Sequence, residues 1–175
     1  MIKRNFTLPL SKTDIESLHA GEVVTLSGIL YTARDAAHKL LCNALQNEEE
    51  LPFDLKTAAI FYAGPAPAKN GEIIGSCGPT TAQRMDDYTP LLLERGLRVM
   101  IGKGKRNHAV TEAIKKHGAV YFAAIGGAGA LYQSYIKSAE IVAYAELGCE
   151  AVYKLTVKNF EVVTGIDCKG NSILK

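Results

Sequence analysis

The sequence predicts an α/β fold in which helices flank a mixed β-sheet. In the middle of the chain, apolar strand-like segments alternate with segments of helical periodicity, which is the pattern of helices packed on a sheet. Further strand-like segments occur near both ends of the chain. With 175 residues, the chain is long enough for one domain with its own core and too short for two ordinary ones. We therefore expect residues 1–175 to form a single domain.

A short helix, a strand and a longer helix are predicted in the first part of the chain. Ser11 can cap a helix that has Asp14 at its third position. Residues 22–33, EVVTLSGILYTA, alternate in polarity and are rich in β-branched side chains, as a strand is. In residues 34–46, RDAAHKLLCNALQ, apolar side chains recur at helical spacing, which predicts an amphipathic helix.

Two short strands and two short helices are predicted next. The strands are residues 58–64, AAIFYAG, and 71–78, GEIIGSCG, joined by a turn that contains prolines and an Asn-Gly pair. In the following segment, GPTTAQRMDDY, Thr81 can cap a short helix. Thr89 is predicted to cap another, because the proline after it suits a first helical position.

The second half of the chain continues the alternation and then becomes mainly strand-like. Residues 97–102 are predicted to form a strand, and residues 107–118 a helix that Asn107 caps and Gly118 ends. A strand follows at 119–125, and the glycine turn GGAGA leads into a further helix. The segments EIVAYAEL, AVYKLTVKNF and EVVTGID are strand-like.

Composition excludes several classes of partner and site. The net charge is only +2 and the basic residues are scattered, so we expect no nucleic-acid partner. We find neither a long apolar segment nor a secretory signal, so we expect no membrane span and a cytoplasmic location. The cysteines are far apart in the sequence, which predicts reduced, partly buried thiols and no metal site in this chain. They are Cys42, Cys77, Cys149 and Cys168.

Three predicted strand-to-helix turns carry positively charged side chains. They supply Arg34, Arg84, and Lys103 together with Arg106, and Thr80 adds a hydroxyl one helical turn before Arg84. Such turns can share one edge of an α/β sheet. The pattern therefore predicts a site for a small dianion.

Asp35 and His38 accompany Arg34 in its turn. An arginine in the first helical turn opposes the helix dipole, so its position suggests a bound carboxylate or an ion pair with Asp35. A lone helical histidine such as His38 is more often a packing or supporting residue than a catalyst.

Two glycine-rich turns allow other interpretations. GKGKRN resembles part of a dinucleotide fingerprint, but Asn107 replaces the third glycine and no acidic residue ends the next strand. The turn GGAGA could hold a carboxylate through backbone N–H groups or allow close packing of a helix on the sheet.

Six motifs together resemble the β subunit of two-subunit class I fumarases, over essentially the whole chain. They are ARDAAHK, GPTTAQRMD, GKGKR, AAIGGAGAL, AELGCEAVYKLTVKNF and GIDCKGN. The resemblance implies a swivelling β/β/α domain that takes part in the reversible hydration of fumarate to L-malate. It also implies a 4Fe-4S cluster bound by a partner α subunit, a hetero-oligomer, and no activity of this chain alone.

The resemblance further implies roles for individual residues. Arg34, Arg84 and Lys103 match residues that bind the substrate carboxylates, and Thr80 matches a threonine proposed as acid/base. Asp35, His38 and Arg106 are candidates to support them.

Two other functions stay open. The first is the β subunit of L-tartrate dehydratase, which shares the GPTT and GKG elements; here Ala33 precedes Arg34, and Lys105 follows Gly104, which favours fumarase. The second is a non-catalytic module that binds organic anions.

Overall fold

Seven strands form one mixed sheet in the computed structural model, which describes residues 3–174. The strands are β1 (Arg4–Thr7), β2 (Val23–Thr32), β3 (Ala59–Phe61), β4 (Val99–Gly102), β5 (Val120–Ala123), β6 (Ile136–Ala143) and β7 (Val152–Ile166). Strands β1 to β5 run parallel to one another, whereas β7 is antiparallel to β2, β5 and β6. The predicted α/β class and mixed sheet are confirmed.

The sheet closes on itself through β2 and β7. These strands pair from Val23 opposite Val163 to Tyr31 opposite Lys154. Because β7 also pairs with β5, strands β2, β3, β4, β5 and β7 form a closed, barrel-like sheet, and β1 and β6 extend it. Periodicity along the sequence did not predict this closure.

Five α-helices and two 3-10 helices lie in the described part of the chain. They are α1 (Lys12–Glu16), α2 (Asp35–Gln46), α3 (Thr89–Glu94), α4 (His108–His117), α5 (Gly129–Tyr135) and the 3-10 helices Ala82–Met85 and Ala145–Glu150. Between residues 3 and 174, no helix has both the length and the apolar character needed to span a membrane.

Local signals account for the ends of two helices. Ser11 and Asp14 form the predicted capping box of α1. The side chain of Asn107 accepts a hydrogen bond from Val110 N at 2.9 Å, and Gly118 ends α4 in the left-handed conformation with φ 62°. These predictions are confirmed.

Alternate residues of the parallel strands face two separate cores. Phe61, Ile101 and Phe122 belong to the cluster inside the barrel, together with side chains of β2 and β7. Tyr62 and Tyr121 belong to the cluster beneath the helices outside it. Because both faces of the parallel strands are buried, their sequences are continuously apolar instead of alternating in polarity.

The predicted strand at residues 71–78 is wrong. Residues 71–78 form a loop that folds back against residues 64–70. Two hydrogen bonds join the two segments: Ala66 N donates to Ser76 O at 2.9 Å, and Gly75 N donates to Ala66 O at 3.1 Å. Strand β3 already has β2 and β4 on its two edges, so no edge is free for another strand beside it.

Other boundaries also differ from the predictions. AVYKLTVKNF and EVVTGID form one continuous strand, β7. Strand β6 covers Ile136–Ala143, so it begins before the predicted strand-like segment EIVAYAEL, whose last residues lie in the 3-10 helix Ala145–Glu150. Strand β1 was not predicted. The 3-10 helix at 82–85 starts after Thr81, but the Thr81 side chain makes no capping hydrogen bond. Thr89 lies inside α3, one residue beyond its N-cap.

The cysteines are all free thiols, but they differ in burial. Cys42 and Cys77 are buried, and burial raises their pKa values to about 11 and about 12. Cys168 is partly buried, whereas Cys149 is exposed. The expectation that every cysteine is partly buried is therefore wrong for Cys149.

Candidate functional site

The carboxyl ends of β2, β3 and β4 bring three of the predicted residues to one edge of the sheet. Arg34 follows β2 and is the N-cap of α2. Lys103 follows β4 directly. Thr80 reaches the same edge after the loop at 64–78, because Pro79 pairs with Ala63 at the end of β3.

The backbone of Thr80 lies between the ends of β3 and β4. Its N–H donates to Tyr62 O at 2.6 Å, and its carbonyl accepts from Lys103 N at 3.1 Å. Thr81 pairs in parallel with Lys103. Thr80 is half-buried, and its separation from Lys103 is set by the sheet and not by the loop before it.

The Arg34 guanidinium lies over Gly64 and beside two carboxylates. A Cβ atom at Gly64 would lie 3.3 Å from an Arg34 terminal nitrogen and 3.0 Å from Cys149 O, so only glycine leaves this space open. Arg34 Nε is 3.7 Å from Glu150 Oε1 and 3.8 Å from Asp35 Oδ1. It is buried and has no hydrogen-bond partner among residues 3–174. A carboxylate oxygen from a ligand would complement it.

Asp35 lies between the two arginines of the predicted site. Its Oδ2 is 4.0 Å from a terminal nitrogen of Arg84, whereas its Oδ1 faces Arg34. Arg84 is in the 3-10 helix that follows Thr80, and 56% of its side chain is exposed. Asp35 therefore lies within ion-pair distance of both guanidinium groups, but it is too far from either to form a hydrogen bond.

Lys103 presents its ammonium to solvent at the same edge. Its methylene stem lies against Gly126, where a Cβ atom would be 2.6 Å from Lys103 Cδ. Within the described residues, no carboxylate lies within 4.0 Å of this ammonium. Lys103 is thus available to an anionic ligand.

Close packing accounts for another glycine of the GGAGA turn. A Cβ atom at Gly129 would clash with the Ser76 side chain, and Gly129 O accepts a hydrogen bond from Cys77 N at 3.1 Å. The packing interpretation of this turn is therefore confirmed at Gly129.

His38 holds the backbone of Arg34 in place. The ring is fully buried, and both its Nδ1 and its backbone N lie near Arg34 O, at 2.9 Å and 2.8 Å. Since a carbonyl oxygen only accepts, Nδ1 carries the proton. Burial lowers the pKa of His38 to about 4, so the imidazole is neutral at pH 7. His38 therefore helps to position Arg34 through the hydrogen bonds to the Arg34 carbonyl.

Arg106 does not face the candidate site, contrary to its prediction as part of a cationic anion-binding turn. It is buried, its Nε donates to Asp86 Oδ1 at 2.6 Å, and its terminal nitrogen donates to Thr89 Oγ1 at 2.7 Å. Asp86 also accepts from Asn107 N at 2.7 Å. Asp86 is therefore a buried partner of this turn and not a surface charge.

Two tyrosine rings enclose the same guanidinium. Its carbon lies 5.2 Å from the ring centroid of Tyr62 and 4.9 Å from that of Tyr121, in cation-π geometry. Tyr62 also supplies the carbonyl that holds Thr80. Arg106 therefore fixes the GKGKR turn to the sheet beneath the site.

Sequence reasoning missed Gly64 and Glu150. Glu150 reaches α2 from the other end of the chain, and its Oε1 lies 3.5 Å from Ala36 N in the first turn of that helix. The motif AELGCE was noticed, but no periodic signal indicated that its last residue would face Arg34.

The side chains of this chain do not fit a 4Fe-4S cluster. Cluster iron needs several thiolates close together, whereas Cys42 and Cys77 lie in different cores and their pKa values are raised. Between residues 3 and 174, no group of three or more His, Cys, Asp or Glu side chains could hold a metal ion. The site offers three cations and a hydroxyl, together with the carboxylates of Asp35 and Glu150 beside the arginines.

Comparison with known proteins adds an independent observation. The family model described as Fumarase C-terminus matches residues 2–175. Fumarate hydratase class I, aerobic, of Escherichia coli K12 is 44% identical over 154 residues, which cover 87% of this chain and 28% of that protein. Fumarate hydratase 2 of Leishmania major is 40% identical over 176 residues, which cover 98% and 31%.

A shorter relative has nearly the length of this chain. A protein of Methanocaldococcus jannaschii, provisionally named L(+)-tartrate dehydratase subunit beta, is 38% identical over 170 residues, which cover 94% of this chain and 87% of that protein. The chain therefore spans less than a third of the two fumarate hydratases and most of the beta subunit.

Proposed function

This chain belongs to the fumarase C-terminus family, and from that membership we propose that it is the β subunit of a class I fumarate hydratase. In this proposal it acts with an α subunit to interconvert fumarate and L-malate. The observation that carries the proposal is the family match over residues 2–175 combined with the position of Arg34, Thr80 and Lys103 at one edge of the sheet.

We assign binding of the two substrate carboxylates to Arg34, Arg84 and Lys103. The unpartnered Nε of Arg34 and the exposed ammonium of Lys103 support this assignment, because both have hydrogen-bond donors to offer. Hydrogen bonds between charged groups contribute about 1.5–3 kcal/mol each. Asp35 lies within 4.0 Å of both arginines and Glu150 within 4.0 Å of Arg34, so a substrate carboxylate would compete with these two side chains.

We assign proton transfer to the hydroxyl of Thr80. Its backbone is fixed by the two hydrogen bonds between β3 and β4, so its side chain has a defined position over the sheet edge. A threonine hydroxyl is a weak base unaided, so a neighbouring group must activate it. In our proposal the α subunit supplies that group and also binds the 4Fe-4S cluster, which acts as a Lewis acid when bound.

The subunit organisation is part of the proposal. The relative named as a beta subunit supports a separate partner chain, and the longer fumarate hydratases support the same two parts joined in one chain. We propose a hetero-oligomer in which residues 1–175 form one domain of the swivelling β/β/α type. The closed sheet with helices packed outside it is compatible with that type.

L-tartrate dehydration is the second candidate function. The relative from Methanocaldococcus jannaschii favours it. L-malate and L-tartrate, the compounds that the two enzymes would dehydrate, differ by one hydroxyl group, a small difference for a site to discriminate. Comparison of fumarate with L-tartrate in the same preparation distinguishes the two functions.

The test is anaerobic co-expression with the α subunit, followed by steady-state kinetics. Arg84→Ala should lower kcat/KM by about 10- to 100-fold, because one charged hydrogen-bond partner of the substrate is lost. Arg95→Ala is the matched control, since Arg95 is also exposed but lies at the end of α3. It should retain full activity.

Three results would contradict the proposal. Near-normal turnover of Arg84→Ala would remove Arg84 from the site. Activity of this chain without an α subunit would contradict the two-subunit assignment, and binding of fumarate without any turnover in the assembled complex would favour an anion-binding module.

A further inference from the structure

A basic cleft lies at the opposite end of the sheet from the candidate active site. Its volume is about 630 Å³, within the usual range for ligand pockets. Lys56 precedes β3, Arg98 precedes β4 and Gly118 precedes β5, so the cleft lies at the amino ends of the parallel strands. Helices α1 and α4 form its sides.

The lining of this cleft concentrates positive charge. Its lysine and arginine side chains are Lys12, Lys56, Arg98, Lys115 and Lys116. Glu16 is the carboxylate of the lining, and Lys12 pairs with it at 3.7 Å. The other four cations have no carboxylate within 4.0 Å in the part of the chain from 3 to 174. A chain of net charge +2 thus holds four uncompensated cations in one cleft.

Local contacts position the Arg98 guanidinium and the stem of Lys56. One terminal nitrogen of Arg98 donates to Leu93 O at 2.8 Å and to Leu97 O at 2.7 Å, which fixes the guanidinium plane. The stem of Lys56 lies against Gly96, where a Cβ atom would be only 2.9 Å from Lys56 Cγ. A cation that is already ordered loses less conformational entropy when a ligand binds.

Lys115 is placed in a similar way on the other side of the cleft. Its stem lies against Gly170, where a Cβ atom would be 3.5 Å from Lys115 Cδ. Both Gly96 and Gly170 have positive φ, 118° and 85°, so each turn brings backbone without a side chain beneath a lysine. The methylene stems of Lys56 and Lys115 can therefore lie against the backbone at Gly96 and Gly170.

We propose that this cleft is a second anion site, which binds a soluble compound carrying two or more phosphate groups. A phosphate group carries about −1.5 to −2 charges at pH 7, so two phosphates match the four uncompensated cations. Lysine ammonium groups suit phosphate as point charges, and Arg98 can add planar donors. The site is separate from the edge that holds Arg34 and Lys103, so its ligand would act as an effector and not as a substrate.

Calorimetric titration of the full chain with inorganic pyrophosphate tests the proposal. We expect one binding site whose affinity falls as salt is added, because the contacts are ionic. The double variant Lys115→Glu, Lys116→Glu should weaken binding by about tenfold or more, since it reverses two charges in the cleft. Both side chains are exposed, so the variant should fold, which its thermal unfolding curve checks.

The matched control is the double variant Lys69→Glu, Lys158→Glu. It makes the same change in net charge at two exposed lysines outside the cleft, and its affinity should stay within about twofold of the unchanged chain. Equal loss of affinity in both double variants would overturn the proposal, because binding would then follow net charge. Absence of pyrophosphate binding, or equally strong competition by fumarate, would overturn it too.

Discussion

Replacement of Asp86 by asparagine should destabilise the fold strongly. Asp86 is 4% exposed and is the carboxylate that pairs with the buried guanidinium of Arg106, at 2.6 Å. Its second oxygen accepts from Asn107 N, the N-cap residue of α4. An asparagine side chain has one acceptor oxygen and no charge, so it can replace only one of these two hydrogen bonds.

The expected loss follows from what remains around Arg106. Removal of one partner from a buried ion pair costs about 3–5 kcal/mol, because the other charge stays buried without compensation. The hydrogen bond to Thr89 and the rings of Tyr62 and Tyr121 remain and offset part of this cost. We therefore expect Asp86→Asn to lower the free energy of unfolding by about 3 kcal/mol.

Urea unfolding of the purified chain, followed by circular dichroism, measures this change. Asp87→Asn is the control: it makes the same chemical change one residue away at an exposed position, so its effect should stay within about 0.5 kcal/mol. Adding Arg106→Met to Asp86→Asn should recover part of the loss, because the unpaired charge is removed. If Asp86→Asn were as stable as Asp87→Asn, the role given to the buried pair would be refuted.

Three further predictions concern the surroundings of the site. His38 has a pKa of about 4 in the fold and about 6.5 unfolded, so the unfolded chain binds more protons between these values. Stability should fall by about 2 kcal/mol from about pH 8 to about pH 5, and His38→Asn should remove this part of the pH dependence in urea titrations. If the proposed complex with an α subunit is assembled, Gly64→Ala should raise its KM about three- to tenfold by displacing Arg34, with little change in unfolding. In the folded chain, Cys149 should react fastest with a thiol reagent and the partly buried Cys168 more slowly, whereas the two buried cysteines react only after unfolding; Cys149→Ser should abolish the fastest phase.

Elements with strong local signals could be predicted from the sequence. Helix α4 combines an asparagine cap, apolar spacing and a terminal glycine, and each signal acts within a few residues. The prediction of strand-to-helix turns also located Arg34 and Lys103 correctly, just after the ends of β2 and β4. These features depend on neighbouring residues, which the sequence contains directly.

Features that depend on distant partners could not be predicted. Residues 71–78 are as apolar as many strands, but the edges of β3 are taken by β2 and β4. The charge of Arg106 is typical of a surface residue, and its burial depends on Asp86, Thr89 and the two tyrosines. Glu150 faces Arg34 only because β7 brings the preceding 3-10 helix back to α2.

The pairing of β2 with β7 also determines when the chain can complete its fold. It joins residues as distant in the sequence as Val23 and Val163, and contacts of such long range form slowly. During synthesis, β2 lacks this partner until β7 (Val152–Ile166) has left the ribosome, so its backbone donors and acceptors stay open to pairing with other chains. Truncation anywhere before β7 would leave that edge permanently open, and aggregation would then be the expected fate of the fragment.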